Sequence, residues 1–173
     1  MPFIGGGGVE KNLYIISDHF CKKFKNVLVC THSLKQRKKF NNKIKFIIPK
    51  YQISEKIFLR FKYMLCLISL GIFLLKNKDA VVFSFQANIY CILLCKIFKT
   101  RIVVRSNSSP SGWYHNSLKK FLFKKIISLA DGVIVNSIDF RNQMIRKFNI
   151  KVKCIYNPLD KNQLIYKSKR GKK

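Results

Sequence analysis

A run of four glycines stands near the start of the chain, at residues 5–8, and Val9, Glu10 and Lys11 follow it directly. Glycine has no Cβ and tolerates positive φ, so this loop can turn tightly and bring backbone N–H groups against a ligand. Apolar residues then recur at helical spacing, at Val9, Leu13, Ile16, Phe20 and Phe24. A glycine loop that opens a helix favours anion binding, because unsatisfied N–H groups and the positive helix end both face the ligand. The alternative is a flexible terminal tail without a site.

Short apolar runs rich in β-branched residues alternate with longer segments of helical periodicity. Strands are predicted at 26–31, 44–48, 80–85, 100–105, 132–135 and 152–156. After the first helix, further helices are predicted at 55–76, 89–98, 113–129 and 137–147. This alternation requires parallel pairing through right-handed crossovers. The predicted fold class is therefore α/β, a Rossmann-like open parallel sheet with helices on both faces.

Polar residues follow several of the predicted strands. Because ligands in open α/β sheets bind beyond the carboxyl ends of the strands, the sequence brings four segments to one rim. They are the glycine loop, 85–86, 105–107 and 136–137. This convergence points to one binding site at that rim.

The chain carries 35 basic residues against 7 acidic ones, a net charge of +28. Such a balance suggests an anionic partner, such as nucleic acid, lipid headgroups or a phosphorylated substrate. Abundant Lys, Asn, Ile and Phe together also fit a compositional background without a ligand. A basic nucleic-acid-binding α/β module is the alternative function, but no known motif supports it and the lysines are spread over all segments. The 48% of apolar residues exclude a disordered chain.

The six cysteines show no CxxC pair and no histidine at ligand spacing. Neither a metal site nor a cofactor is expected, and a reducing, cytoplasmic setting fits these free thiols. Cys91 and Cys95 are predicted to be small buried side chains of one helix. The histidines are scattered and receive no catalytic role.

Two segments raise the question of a membrane. Residues 64–75 are apolar, but twelve residues fall short of the about 20 that a span needs, so a buried helix is favoured. Aromatics and lysines suited to an anionic membrane surface stand at Trp113, Tyr114, Lys119 and Lys120. The favoured interpretation of that second segment is an ordinary helix whose core face runs through Leu118, Phe121 and Leu122.

Four segments carry a family resemblance: 7–11 (Gly-Gly-Val-Glu-Lys), 103–110 (Val-Val-Arg-Ser-Asn-Ser-Ser-Pro), 130–137 (Ala-Asp-Gly-Val-Ile-Val-Asn-Ser) and 155–160 (Ile-Tyr-Asn-Pro-Leu-Asp). In this order and at these distances the chain resembles the N-terminal half of family 4 glycosyltransferases of the GT-B architecture. The resemblance covers nearly the whole chain. A nicotinamide dehydrogenase is disfavoured, because the GxGxxG fingerprint and its later acidic residue are both missing.

The resemblance implies a two-domain enzyme that transfers a sugar from a nucleotide-sugar to a glycan or lipid-linked acceptor in cell-surface polysaccharide synthesis. The N-terminal half binds the acceptor, the C-terminal half binds the donor, and transfer occurs in the cleft between them. The implied contacts to donor phosphate or acceptor are Gly6, Gly7, Gly8, Glu10, Gln86, Arg105, Ser106 and Asn107. Phe85 departs from the polar or histidine residue that many relatives place there. No residue of this chain is implied as catalytic and no metal is implied, since this class stabilises the departing phosphate with side chains and helix ends.

The resemblance also implies boundaries. Residues 1–157 match the N-terminal domain, and 158–173 form a basic tail at the start of the link to a donor domain. The first central strand before the glycines and the donor domain with its paired glutamates have no counterpart in the sequence. The expectation is therefore a fragment or mis-started gene product that is inactive alone. Its expected place is the cytoplasm, at the inner face of the plasma membrane, with no nucleic-acid partner.

Overall fold

The computed structural model describes residues 1, 4, 7–32, 34–50, 59–108 and 116–158. Within these residues strands and helices alternate, and every strand pairing is parallel. Helices flank the strands, so the chain is an α/β protein of Rossmann-like architecture, and the predicted fold class is confirmed.

The elements lie where the sequence predicts them, with ends that differ by a few residues. The helices are α1 (Gly8–Lys23), α2 (Leu59–Lys76), α3 (Asn88–Ile97), α4 (Ser117–Ile127) and α5 (Ile138–Phe148), with a 3-10 turn at Arg37–Lys39. The strands are β1 (Leu28–Cys30), β2 (Lys45–Ile47), β3 (Val81–Ser84), β4 (Arg101–Ser106), β5 (Gly132–Val135) and β6 (Lys153–Cys154). The predicted helix positions 55–58 and 113–115 lie outside the described residues.

The strands form two sheets instead of one continuous sheet. One has two strands in the order β1-β2, and the other has four in the order β3-β4-β5-β6. Between them lies a cavity of about 1010 Å³, lined by β1 on one side and β3 on the other. The continuous apolar runs at 26–31 and 80–85 predict strands that are buried on both faces, and this prediction is wrong for β1 and β3. Leu28 and Val81 are exposed, and among the described residues no strand pairs with β1 or β3 on the side of the cavity.

Each sheet has its own hydrophobic core. The core of the four-stranded sheet joins it to α2, α3, α4 and α5 through Leu74, Ile92, Cys95, Ile102, Val104, Ile127, Val133, Val135, Met144, Phe148 and Val152. The core of the two-stranded sheet is smaller and contains Ile4, Leu13, Val29, Phe40, Ile44 and Phe85. Helix α1 packs into this second core, where Phe20 contacts Phe83 edge-on.

The helix faces differ from those that periodicity suggests. On α4 the predicted core residues Leu118 and Phe121 are 66% and 54% exposed, and Leu122 is exposed as well, whereas Ile127 is buried. On α3 the helical spacing of Ile89, Leu93 and Ile97 predicts a shared face, but Leu93 and Ile97 are exposed and Ile92 is buried. The predicted burial of Cys95 is confirmed, and Cys91 is half-buried. These helices are apolar on more than one side, so spacing alone cannot identify the buried face.

Helix α2 was predicted as a buried helix, and only one of its faces is buried. Cys66, Gly71 and Leu74 pack inward, while Ile68 and Ile72 are exposed. No helix in the described ranges combines the length and apolarity needed to cross a bilayer.

Candidate functional site

The N-terminus of α1 is formed by glycines, as predicted. Gly7 is the N-cap, with extended backbone at φ −81°, and no described glycine has a positive φ. The expected left-handed turn is therefore not what Gly7 supplies. A Cβ on Gly7 would lie 2.7 Å from Glu10 Oε2, the end of a flexible side chain, so the carboxylate folds back over the helix end at the place that glycine leaves open. Gly6 lies outside the described residues.

Glu10 is the third residue of α1 and is only 8% exposed. A carboxylate at this position can reach back to the N-cap and complement the positive end of the helix dipole. Burial and the nearby Glu10 carboxylate both raise the pKa of Tyr14, one turn later. The N-terminus of α1 therefore already faces the carboxylate of Glu10. An external anion must bind beside this carboxylate or displace it.

A carboxamide follows each strand of the four-stranded sheet. These side chains, the carboxamide row, are Gln86 after β3, Asn107 after β4, Asn136 after β5 and Asn157 after β6. Ser106 pairs with Val135 in the β4–β5 register, so the residues that follow them leave the sheet side by side. Neighbouring strands are about 4.8 Å apart, a spacing that places the amides along one edge.

Three members of the row have an unused polar atom. The side-chain oxygens of Gln86, Asn107 and Asn136 are buried and have no hydrogen-bond partner among the described residues. Asn107 Nδ2 donates to the carbonyl oxygen of Phe85 at 3.4 Å, which holds this amide against the end of β3. A buried acceptor without a partner costs about 1–3 kcal/mol, so a ligand that donates hydrogen bonds would relieve that cost.

The fourth member, Asn157, is satisfied by the protein itself. Its Oδ1 accepts from Arg105 Nη2 at 3.0 Å and from Asn12 Nδ2 at 2.9 Å. Arg105 Nη2 also donates to the carbonyl oxygen of Ile155 at 3.0 Å. Asn157 thus joins α1, β4 and the segment after β6 at the carboxamide row.

Arg105 and Ser106 were predicted to face the acceptor, but both are buried. Arg105 is 1% exposed, and burial lowers the pKa of its guanidinium. Ser106 Oγ donates to the carbonyl oxygen of Ser108 at 3.2 Å. Below them, Asn88 Nδ2 donates to the carbonyl oxygen of Arg105 at 3.1 Å. The structure therefore places both residues in the support beneath the row, while Arg105 Nε lacks a partner within the described chain.

The structure thus brings Gln86 and Asn107 to one rim and connects it to the α1 N-terminus through Asn12. The sequence analysis placed Asn136 at the rim, in the segment 136–137, but did not include it among the implied substrate contacts, and it did not assign Asn12 to the site at all. Asn136 carried a usable signal, since it comes directly after a predicted strand. Asn12 carried none, because its contact depends on a residue far away in the sequence.

The predicted membrane-facing residues divide into two groups. Lys119 and Lys120 are exposed on α4, next to the open Leu118 and Phe121. Trp113 and Tyr114 lie outside the described residues. The lysines therefore share a surface with apolar side chains that the four-stranded core does not cover.

In the described part of the chain, no three or more His, Cys, Asp or Glu side chains are grouped so that they could hold a metal ion. No protein-family model matches the sequence, and no curated protein matches it either. The carboxamide row and the α1 N-terminus are the features that a functional proposal has to explain.

Proposed function

We propose that this chain forms the acceptor-binding half of a glycosyltransferase of the GT-B, family 4 type. Such an enzyme transfers a sugar from a nucleotide-sugar to a glycan or lipid-linked acceptor in cell-surface polysaccharide synthesis. The observation that carries the proposal is the carboxamide row, in which the side-chain oxygens of Gln86, Asn107 and Asn136 are buried and have no hydrogen-bond partner in the described part of the chain. Sugars present closely spaced hydroxyl donors, which match a row of amide acceptors along one sheet edge.

In this proposal the residues of the site have different roles. Gln86, Asn107 and Asn136 of the carboxamide row bind acceptor hydroxyls, and Arg105 holds the fourth member, Asn157, in position. The N–H groups at Gly7 and Gly8 contact donor phosphate across a cleft once the Glu10 carboxylate swings away. Donor binding and the catalytic groups belong to a second domain, so no residue described above is assigned a catalytic role. This half alone binds the acceptor without transferring sugar to it, and neither a metal nor a cofactor takes part.

Saccharide binding tests the proposal. We expect free hexoses or N-acetylhexosamines to bind the purified chain saturably in a titration followed by protein NMR. Asn107→Ala and Asn136→Ala should each weaken binding about tenfold, since one lost hydrogen bond of about 1.4 kcal/mol corresponds to that factor. Asn142→Ala is the matched control, because Asn142 is an exposed amide on α5, away from the row.

The same titration separates the alternatives. No saturable saccharide binding by the folded chain, or equal binding by all three variants, would overturn the proposal. Tight binding to single-stranded polynucleotide that weakens steeply with salt would favour the nucleic-acid module suggested by the net charge of +28.

The proposal extends to a membrane surface, because lipid-linked acceptors are presented there. Exposed Leu118 and Phe121 stand beside Lys119 and Lys120 on α4, and Lys125 Nζ lies 5.5 Å from the Phe121 ring centroid. This combination suits the anionic inner face of a plasma membrane, and hence a cytoplasmic enzyme bound peripherally to it.

Vesicle co-sedimentation checks the membrane proposal. We expect binding to phosphatidylglycerol vesicles but not to phosphatidylcholine vesicles. Neutralising two lysines near the surface removes about 2 kcal/mol, so Lys119→Gln with Lys120→Gln should weaken binding about thirtyfold. The exposed pair Lys151→Gln and Lys153→Gln, beside β6, is the control with the same change of charge. Equal losses of vesicle binding in both double variants would show that net charge alone, and not the α4 surface, accounts for the binding.

A further inference from the structure

Two cysteine side chains meet where the two-stranded sheet contacts α2. Cys30 is the last residue of β1, and Cys66 lies near the middle of α2, 36 positions later. The Cys30 thiol donates to the carbonyl oxygen of Cys66 at 3.4 Å, and the two thiols also hydrogen-bond to each other. Both cysteines are free. We call Cys30 and Cys66 the thiol pair.

The two members of the thiol pair differ in exposure and in acidity. Cys66 is 3% exposed, whereas Cys30 is half-buried, and both line the cavity of about 1010 Å³ between the sheets. The hydrogen bond from Cys66 lowers the pKa of the Cys30 thiol, and the same bond, together with burial, raises the pKa of Cys66. Because the thiolate is the reactive form of cysteine, Cys30 is the member that reacts first with a small molecule in the cavity.

A third cysteine, Cys91, lies near the thiol pair but is held by other groups. Its thiol lies 3.9 Å from the carbonyl oxygen of Gln86 and hydrogen-bonds to the Ser84 side chain. Burial raises the pKa of Cys91, so this thiol stays protonated. Cys66 is therefore the partner that the geometry offers to Cys30.

We propose that the thiol pair is a site of reversible oxidation, at which a small hydroperoxide converts Cys30 and Cys66 into a disulfide. The Cys30 thiolate attacks one oxygen of hydrogen peroxide, the O–O bond breaks, and the leaving hydroxide takes up a proton to become water. The Cys66 sulfur then attacks the sulfur of the Cys30 sulfenic acid, and the Cys66 proton leaves with the sulfenic oxygen as a second water. The two thiols lose two electrons, which the peroxide accepts.

The disulfide links β1 to a helix that belongs to the other core. Leu70, Phe73 and Leu74 of α2 pack into the core of the four-stranded sheet. The bond therefore restrains the two-stranded sheet relative to the four-stranded one, and in the unfolded chain it joins residues 36 positions apart. This inference is independent of the proposed glycosyl transfer, because neither cysteine belongs to the carboxamide row.

Mass spectrometry of the native chain tests the pairing. The reduced protein is treated with an equimolar amount of hydrogen peroxide, its remaining thiols are alkylated, and it is digested with trypsin without reduction. Cleavage after Lys and Arg places Cys30 in the peptide 26–35 and Cys66 in 63–76, whereas Cys91 and Cys95 share 79–96. We expect 26–35 joined to 63–76 as the main product, and dithiothreitol should separate them. In urea the same treatment should scatter the links over all six cysteines.

Serine variants identify the roles of the two thiols. Cys66→Ser should abolish the disulfide and leave Cys30 as a sulfenic acid, which dimedone traps. Cys21→Ser is the matched control and should keep the link, because Cys21 is a half-buried free cysteine on α1 that does not line the cavity. Cys91→Ser should also keep it. Circular dichroism checks that each variant is folded.

Thermal denaturation measures the restraint that the disulfide imposes. Oxidation should raise the melting temperature of the native chain by about 5–10 °C, since a cross-link over a loop of this length restricts the unfolded chain. Cys66→Ser treated with peroxide should show no rise. An unchanged melting temperature in the fully linked native chain would contradict the proposed restraint.

Three results would overturn the inference. They are a link from 26–35 to 79–96 in place of 63–76, oxidation of Cys30 to a sulfinic acid without any link, and the same distribution of links in the folded and the urea-unfolded chain. All three are measured on the native protein, so they decide the question even if Cys66→Ser does not fold.

Discussion

The central strands β4 and β5 and the edge strands β1 and β3 are built from similar apolar sequence and reach different degrees of burial. In β4 and β5, Ile102, Val104 and Val135 are fully buried, because each strand has a neighbour on both sides and helices beneath it. In β1 and β3, equally apolar runs leave Leu28 and Val81 exposed at the cavity between the two sheets. The burial of a strand thus depends on its position in the sheet as much as on its composition.

The largest effect is expected in the core of the four-stranded sheet. Phe148→Ala removes a fully buried ring and should lower the free energy of unfolding by about 3–5 kcal/mol, measured by urea denaturation. Phe24→Ala, at an exposed ring beyond α1, should change it by less than about 0.5 kcal/mol. Phe40→Ala, in the core of the two-stranded sheet, should mainly increase local hydrogen exchange in β1 and β2. If Phe40→Ala lowers global stability as much as Phe148→Ala, the two sheets unfold as one unit.

The next largest effect on stability is expected at the hydrogen bonds that join α1 to the four-stranded sheet. Arg105→Ala leaves the carbonyl oxygen of Ile155 and Oδ1 of Asn157 without their shared donor and should cost about 2–3 kcal/mol. Because Asn12 shares Asn157 with Arg105, the effects of Asn12→Ala and Arg105→Ala should be non-additive in a double-mutant cycle. Strict additivity would show that α1 and the four-stranded sheet are energetically separate.

An acid-dependent contribution to the stability of the fold is expected at the amino-terminal end of the four-stranded sheet. The Ile102 N–H donates to Asp131 Oδ2 at 2.7 Å and, with Lys96 at 3.1 Å, holds the pKa of this carboxyl below its ordinary value of about 3.9. Since the folded-state pKa is the lower one, the stabilisation is full above pH about 4 and is lost as the pH falls through the folded-state pKa. Asp131→Asn should remove that acid dependence and cost about 1 kcal/mol at neutral pH, a value reduced by solvent exposure. Urea denaturation at pH values from 7 to 3 measures the acid dependence of stability and the cost of the substitution at neutral pH. The same pH dependence of the free energy of unfolding in the native protein and in Asp131→Asn would contradict the assignment.

The smallest effect is expected at the start of α1. Glu10→Gln removes the carboxylate that complements the helix end and should lower stability by about 0.5–1 kcal/mol in thermal denaturation. Inorganic phosphate should bind the variant more tightly than the native chain, because the internal anion is gone. Glu10→Asp, which keeps the charge, is the control. Weaker phosphate binding by Glu10→Gln would show that the carboxylate helps to build an anion site.

The four-stranded sheet could be predicted well from its sequence. The run at 132–135 gives the bounds of β5 as the structure has them. Serine is a favoured N-cap residue, and Ser137, the first residue of the predicted helix 137–147, caps α5 with its Oγ accepting the Phe140 N–H at 3.1 Å. Both features depend on residues that are neighbours in the sequence. Short-range rules therefore suffice for them.

The remaining features depend on distant residues and could not be read from spacing. The buried faces of α3 and α4 are selected by the sheet, so the patterns of Leu93 and Leu118 suggested the wrong side. The burial of Arg105 depends on Asn157, and the rim role of Gln86 depends on the ends of neighbouring strands. The position of the site was predictable from topology, but its unpaired atoms were not.

The contact between Asn12 and Asn157 also bears on how the molecule is made. The two residues are 145 positions apart, and α1 leaves the ribosome before every other helix and strand described here. At about 5–20 residues per second, α1 waits on the order of ten seconds before its last partner has been synthesised. During that interval its apolar face can already pack against the smaller core, which includes Phe85, and against Phe83 of β3. The helix that begins the chain is thus expected to reach its final position last, as a step that completes folding after translation has passed residue 157.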